Sequence, residues 1–416
     1  MPADPGSWNA CTRGLPGLEI RSACAPFGAG VLGGDGHPGQ DPGLIAAAPL
    51  GADQVGSAPP ERPSPERGEG RLANAARSGW MCPGIPFCHC NPGRPVVPKG
   101  VSFELLATDP ATRARRGRLT TAHGVVETPI FMPVGTQGSV KTLHPAELEL
   151  LDAQIILGNT YHLWLRPGEE VIRDLGGLHG FASWDRPILT DSGGFQVWSL
   201  AKLRKISEEG VRFQNHLDGS PMLLTPEKSM EIQAALGSDI AMLFDECPPY
   251  PCERAYAEES TALTTRWARR CKDWIGQHQP ASGRGRQQHF GIVQGSVYAD
   301  LREQSARELS GLDLDGYAIG GVSVGEPEEE MFRAIEHAEP FLPADRPRYA
   351  MGLGTPPQIL EMIARGVDMF DCVHPTRSAR HGLAFTLDGP IHIKNATYQR
   401  DGSPLCESCH PHVARF

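Results

Sequence analysis

The sequence predicts an α/β protein built as a (β/α)8 barrel, with an N-terminal hairpin before it and further segments at both ends. Three observations carry this. Eight short, unbroken apolar runs recur between Pro129 and Phe370, and strands covered on both faces read as continuous runs. Amphipathic helical stretches separate the runs. Strand–helix alternation repeated eight times implies a parallel sheet, and eight strands close as a barrel. Each run is also followed at once by glycine or polar residues, at the end where such a barrel keeps its active site.

Bulk properties narrow the function. The chain has 416 residues, 40% hydrophobic, enough for a large core. A formal net charge of −10 argues against nucleic-acid binding through bulk positive charge, though not against a local basic groove. No run approaches the ~20 apolar residues that span a bilayer. The N-terminus lacks the layout of a secretory signal. The 11 cysteines are scattered, as in a reducing cytoplasm.

In chain order, residues 1–98 are dense in Gly, Pro and Ala without helical or strand periodicity. Pro59-Pro60-Glu61-Arg62-Pro63-Ser64-Pro65 cannot form helix or interior strand. The segment reads as a disordered extension. Cys82, Cys88, His89 and Cys90 within it read as a chance grouping, since no regularly spaced partner pair accompanies them. The barrel domain is expected over 99–395. Phe103–Ala107 and Gly117–Thr121 open it as a hairpin. The barrel runs are Pro129–Val134, Ile155–Gly158, Pro187–Thr190, Ile240–Phe244, Phe290–Val293, Tyr317–Gly320, Arg348–Met351 and Met369–Phe370. The intervening helices are expected at Pro145–Leu151, from Pro226 to Gly237 with Thr225 as cap, and at Tyr256–Gln279, Leu301–Leu309, Glu328–Ala338 and Pro357–Ala364.

The strand ends carry Gly135, Asn159, Asp191, Asp245, Gln294, Gly320-Gly321, Gly352 and Asp371. Turn glycines are commonplace; Asp, Asn, Asp, Gln and Asp at successive strand ends are not. In Met369–Arg380, Asp371 sits at the end of an apolar run and Pro375 is expected to end regular structure. Arg377 and Arg380 follow. The stretch by itself leaves two readings open. Asp371 is a nucleophile working beside a phosphate-bearing substrate, or a core aspartate paired with one of the arginines.

Longer motifs carry a family resemblance. Asp191-Ser192-Gly193-Gly194-Phe195-Gln196, Phe244-Asp245-Glu246-Cys247, Ile292-Val293-Gln294-Gly295 and Phe370–Arg377 resemble the signatures of the tRNA-guanine transglycosylases. Gly158–Leu163, Arg166-Pro167-Gly168 and Met351–Pro356 agree, and the likeness runs in order from about Phe103 to about Arg400.

The resemblance implies exchange of guanine at the anticodon wobble position of tRNA for a 7-deazaguanine base. It makes Asp371 the nucleophile on the ribose and Asp191 the general acid/base, as in two-carboxylate glycosyl transfer. No redox cofactor is implied. Asp245, Gln294 and the Gly321 N–H, with Ser192 nearby, resemble the purine-edge readers; Gly193 and Gly194 allow close backbone approach. Phe195 and Met351 resemble the pair that sandwiches the ring, although singly each would read as barrel core. Cys247 and Val324 match the bacterial pattern for a 7-aminomethyl group, with Glu326 beside that pocket. Animal-type enzymes have glycine at the Val324 position and no cysteine at Cys247. Gly352, Leu353, Gly354, Thr355, Pro356, Pro357 and Gln358 resemble a backbone-contacting RNA loop. Thr376, Arg377, Ser378, Ala379 and Arg380 resemble the segment that reads the wobble nucleotide and its neighbours, with Lys394 and Arg400 on the rim.

The family's structural Zn2+ and homodimer are implied with a difference. Cys406 and Cys409 supply two of the four ligands that a structural zinc needs, and Pro404 stands where an earlier cysteine is expected. Residues 396–416 therefore read as a remnant of the zinc subdomain, and the helices of the family's dimer contact as missing. Two other readings remain from the sequence: a catalytically silent tRNA-binding subunit or inactive homologue, and a hydrolase of free nucleosides.

Overall fold

The computed structural model describes residues 102–200, 204–278, 286–386 and 389–403. The expected extension over 1–98, Cys406 and Cys409 lie outside them.

All eight apolar runs form strands of one parallel sheet: Ile130–Pro133, Ile156–Gly158, Ile188–Thr190, Ile240–Met242, Gln288–Val293, Gly316–Ile319, Arg348–Ala350 and Met369–Cys372. Each strand pairs in parallel with its neighbour in the barrel order, and the eighth pairs with the first, Asp371 opposite Met132. Closure between first and second strands comes from a parallel bridge, Val134 to Leu157, and from the Gly135 N–H donating to Leu157 O at 2.7 Å. The result is a closed barrel.

Alternation along these strands divides the core in two. Met132, Leu157, Leu189, Met242, Ile292, Tyr349 and Met369 fill the barrel interior. Ile156, Ile188, Ala241, Val293, Ala350 and Phe370 face the other way, into the larger cluster shared with the helices. This double burial is why the strands read as continuous apolar runs.

The helices fall close to expectation: Pro145–Leu150, Pro226–Leu236, Arg254–Gln277, Ala299–Ser310, Glu328–Ala338 and Pro356–Ala364. Thr225 caps the second, accepting from Lys228 N, and Gly237 ends it at φ 69°.

One expectation needs correction, and the structure adds elements to the others. The opening hairpin forms as expected, Ser102–Thr108 with Arg115–Thr121, and a third antiparallel strand, Gly124–Thr128, extends it. The third strand, not read from the sequence, is only five residues long, with Val126 and Thr128 buried. Pro375 does not end regular structure: it sits in the first turn of the helix His374–Arg380, where its missing N–H costs nothing and its φ suits a helix. Short helices at Thr160–Leu165, Glu169–Asp174 and Gly177–Ala182, and the antiparallel sheet of Arg204–Ser207, Gly210–Gln214 and Pro221–Leu224, were not foreseen. They are too short or too polar to show a period.

The opening sheet covers the amino end of the barrel. Arg115 donates from Nε and Nη2 to both oxygens of buried Asp368, at 2.9 and 2.8 Å. His123 Nδ1 meets Asp239 Oδ1 at 2.9 Å. With that end covered, the carboxyl ends of the strands are left to form the site.

Candidate active site

Asp191 follows the strand Ile188–Thr190 with the inward parity of Leu189, and Asp371 shares the inward parity of Met369. The same period that packs the barrel interior therefore brings both carboxylates to its mouth. Asp191 accepts from Asn159 Nδ2 at 2.5 Å and from the Thr160 N–H at 2.8 Å. Thr160 opens the helix Thr160–Leu165, so its N–H has no partner within the helix. Burial pushes Asp191 up to about 6 in spite of these donors, and the charge of Asp371 adds to the rise.

Asp371 is held differently. Tyr349 donates its hydroxyl to Oδ1 at 2.5 Å, and the Gly352 N–H donates to the same oxygen at 2.8 Å. Oδ2 carries no hydrogen bond among the described residues. Burial raises this carboxyl, and the two donors pull it back down. Neither Arg377 nor Arg380 pairs with it, so the core ion pair left open by the sequence is excluded.

The third carboxylate, Asp245, accepts from Ser192 Oγ and from Gln294 Nε2, each at 2.8 Å. Burial pushes it up to about 6, with a contribution from Glu246. Gln294 is fully buried, and its Oε1 has no partner among the described residues. A buried, unmatched acceptor beside a carboxylate is a surface built to receive N–H donors. Gly194 is required here, since a Cβ would lie 2.7 Å from Asp245 O. Gly321, at φ +58°, closes the opposite side, where a Cβ would lie 2.5 Å from Gln294 Oε1.

A family model described as queuine tRNA-ribosyltransferase matches residues 109–416, which include every group just described. The chain belongs to this family. A relative named queuine tRNA-ribosyltransferase from Shouchella clausii (strain KSM-K16) is 55% identical over 315 residues, 76% of this chain and 82% of that protein. One of the same name from Pelotomaculum thermopropionicum is 57% identical over 315 residues, covering 76% and 83%. A third, from Halalkalibacterium halodurans, is 56% identical over 315 residues. The chain is thus a tRNA-guanine transglycosylase, a glycosyltransferase of the pentosyl class that serves queuosine biosynthesis.

In this ribosyltransferase-family barrel, the remaining candidates take distinct positions. Phe195 is 41% exposed on the first turn of the helix Gly194–Leu200, so it is not a core residue. Met351 is half-buried against the barrel interior. Cys247 is buried, which pushes its thiol up and leaves it neutral. Val324 is half-buried, and its N–H donates to Glu326 at 2.9 Å. The Ser323 N–H donates to the other oxygen of Glu326. Glu326 thus ties the loop that follows the sixth strand.

Of the expected RNA loop, Gly352 is exposed, whereas Leu353 is 2% exposed and belongs to the core. Thr355 and Gln358 form a reciprocal cap on the helix Pro356–Ala364. Only backbone is offered at Leu353. On the helix His374–Arg380, Arg377 and Arg380 are exposed and unpaired with any carboxylate among the described residues; Ser378 is buried against His374.

Sequence reasoning missed two supporting groups. Asn159 reads as a polar strand end, without its bond to Asp191. Tyr349 stands inside an apolar run; its inward parity with Met351 was the signal. A further donor cluster, His123, His179 and Asp239, lies at the amino end of the barrel. Both Asp239 oxygens there already accept two hydrogen bonds, from His123 Nδ1 and N–H and from His179 Nε2 and the Ile188 N–H. The cluster joins the opening sheet to the strands.

Proposed function

We propose that the chain exchanges guanine at the wobble position of G-U-N tRNAs for 7-aminomethyl-7-deazaguanine, by double displacement through a covalent aspartyl-ribose RNA. One observation carries this reading. The charge of half-buried Asp371 adds to the rise of buried Asp191, yet the hydrogen bonds of the two carboxylates differ in kind. Environments that give two carboxyls different proton affinities separate the roles of nucleophile and acid/base.

Tyr349 and Gly352 donate to Oδ1 and favour the ionised form of Asp371 against its burial, and its open Oδ2 attacks the ribose C1′. The C1′–N9 bond breaks with its electron pair on the purine. Asp191, raised to about 6, gives the departing base a proton. The incoming base then loses its ring N–H proton to Asp191, its nitrogen attacks C1′, and Asp371 leaves. Bonds and protons balance without a redox partner.

Asp245, Gln294 and the Gly321 N–H read the purine edge, and Ser192 holds Asp245 in plane. Phe195 and Met351 supply the two ring faces. Cys247 and Val324 fill the pocket wall and favour the small aminomethyl substituent over queuine. Arg377 and Arg380, both exposed, meet RNA phosphates, and exposed Gly352 offers backbone to the RNA. The partners are a tRNA anticodon stem-loop and a free 7-deazaguanine. A cytoplasmic setting belongs to the same reading, and the native mass tests the family's homodimer. No described helix is long and apolar enough to cross a membrane. Cys406 and Cys409 would give a structural zinc two of its four ligands, and no step passes through it.

The deciding assay incubates labelled guanine with unmodified tRNA carrying a G-U-N anticodon. Incorporation that disappears in Asp371→Ala supports the proposal. Binding without incorporation points to a silent subunit. Release of free base from a mononucleoside points to a hydrolase.

A further inference from the structure

Arg302, on the helix Ala299–Ser310, is 0% exposed. A guanidinium stays charged at ordinary pH, and a fully buried charge normally sits against an opposite one. No carboxylate pairs with Arg302 among the described residues. Its hydrogen bonds all go to backbone carbonyls. Nε donates to Ser296 O at 2.6 Å. Nη1 donates to Val293 O at 3.2 Å and Gly320 O at 2.6 Å, and Nη2 to Gly321 O at 2.9 Å. These four carbonyls lie at the carboxyl ends of the fifth and sixth barrel strands. One helical turn on, Ser305 Oγ accepts the Gln294 N–H at 3.1 Å. Gly295, at φ +134°, lets the helix come this close, since a Cβ would lie 2.7 Å from Arg302 N.

Peptide geometry gives this grip a consequence. In a trans peptide, a carbonyl and the following N–H point in opposite directions. Arg302 holds the Gly320 carbonyl from behind the pocket, so the Gly321 N–H faces away from the guanidinium.

We propose that Arg302 is a positioning residue for base recognition: by gripping the carbonyls of Val293, Ser296, Gly320 and Gly321 it aims the Gly321 N–H into the purine pocket and fixes the strand end that carries Gln294. The inference rests on reading that pocket as the purine site.

The test uses the full chain with Arg302→Met and Arg302→Lys. Guanine exchange is measured against base and against tRNA separately, and amide hydrogen exchange is followed over residues 317–326. In Arg302→Met, the KM for guanine rises about tenfold or more, as expected for losing charge-assisted bonds. The KM for tRNA stays unchanged, and the 317–326 amides exchange faster. Arg302→Lys, which keeps the charge with fewer donors, falls between. An unchanged base KM in folded Arg302→Met overturns the proposal, as does an equal rise in both KM values. Failure of both variants to fold also overturns it, since the guanidinium would then be a requirement of the fold. If the wild-type chain exchanges no guanine, the functional reading fails, and amide exchange over 317–326 still decides the positioning claim.

Discussion

The hydroxyl of Tyr349 donates to Oδ1 of Asp371 at 2.5 Å, between two strands that lie side by side in the barrel. The bond fixes one carboxylate oxygen and leaves the other free to attack. It also favours the ionised form, opposing the burial that raises Asp371. Tyr349→Phe should therefore lower kcat/KM by about tenfold near pH 7. The sign of its pH effect is fixed. Loss of a donor raises the Asp371 pKa further, so the acid limb of the rate profile moves to higher pH. A profile displaced the other way, or not at all, would remove Tyr349 from the mechanism.

Asp245 gives a prediction about stability. Burial pushes it up to about 6, above its unfolded value. The folded state then holds the extra proton between about pH 4 and 6, so stability falls as pH rises through that window. A carboxyl raised this far costs the folded state at most about 3 kcal/mol above the window. Asp245→Asn should melt higher than wild type at pH 8 by a fraction of that, and the gain should shrink towards pH 4. Ser192 and Gln294 can both reorient towards an amide. Guanine affinity should fall in the same variant. The gain should be smaller in Asp191→Asn, because the Thr160 N–H cannot accept from an amide. Melting curves at the two pH values, set beside base titrations, check both statements.

Arg380 is exposed and has no carboxylate partner among the described residues. Arg380→Ala should weaken tRNA binding and reduce the slope of log K against log salt by about one. Turnover at saturating tRNA should change little. Loss of turnover with unchanged tRNA affinity would sink the assignment of this helix to RNA.

Gly354 lies against the eighth strand, where an added Cβ would sit 2.3 Å from Cys372 Cβ. Gly354→Ala should cost about 1–3 kcal/mol of stability in a denaturant titration, since the barrel must shift to admit it. Gly402 has nothing within 4 Å of the same added atom, and Gly402→Ala serves as the control. Its effect should stay within about 0.5 kcal/mol.

The barrel was legible because double burial leaves a strong local trace. Ile188-Leu189-Thr190 and Ile240-Ala241-Met242 are apolar or small on both faces since each face meets a core. The sheet from Arg204 to Leu224 leaves no such trace. Its first strand, Arg204-Lys205-Ile206-Ser207, has no fully buried residue and a charged start. Pro375 misleads because proline stops a helix from within but not from its first turn.

Read by itself, the chain determined its barrel, its family and the carboxylates at the strand ends, because strand periodicity and contiguous motifs are local properties. Tertiary structure decided how those carboxylates behave. Asn159 reaches Asp191 across 32 positions and Tyr349 reaches Asp371 across 22, and Arg302 hydrogen-bonds four carbonyls and, among the described residues, no carboxylate. Proton affinity and backbone aim follow from burial and through-space partners, and only the closed ring of strands brings those together.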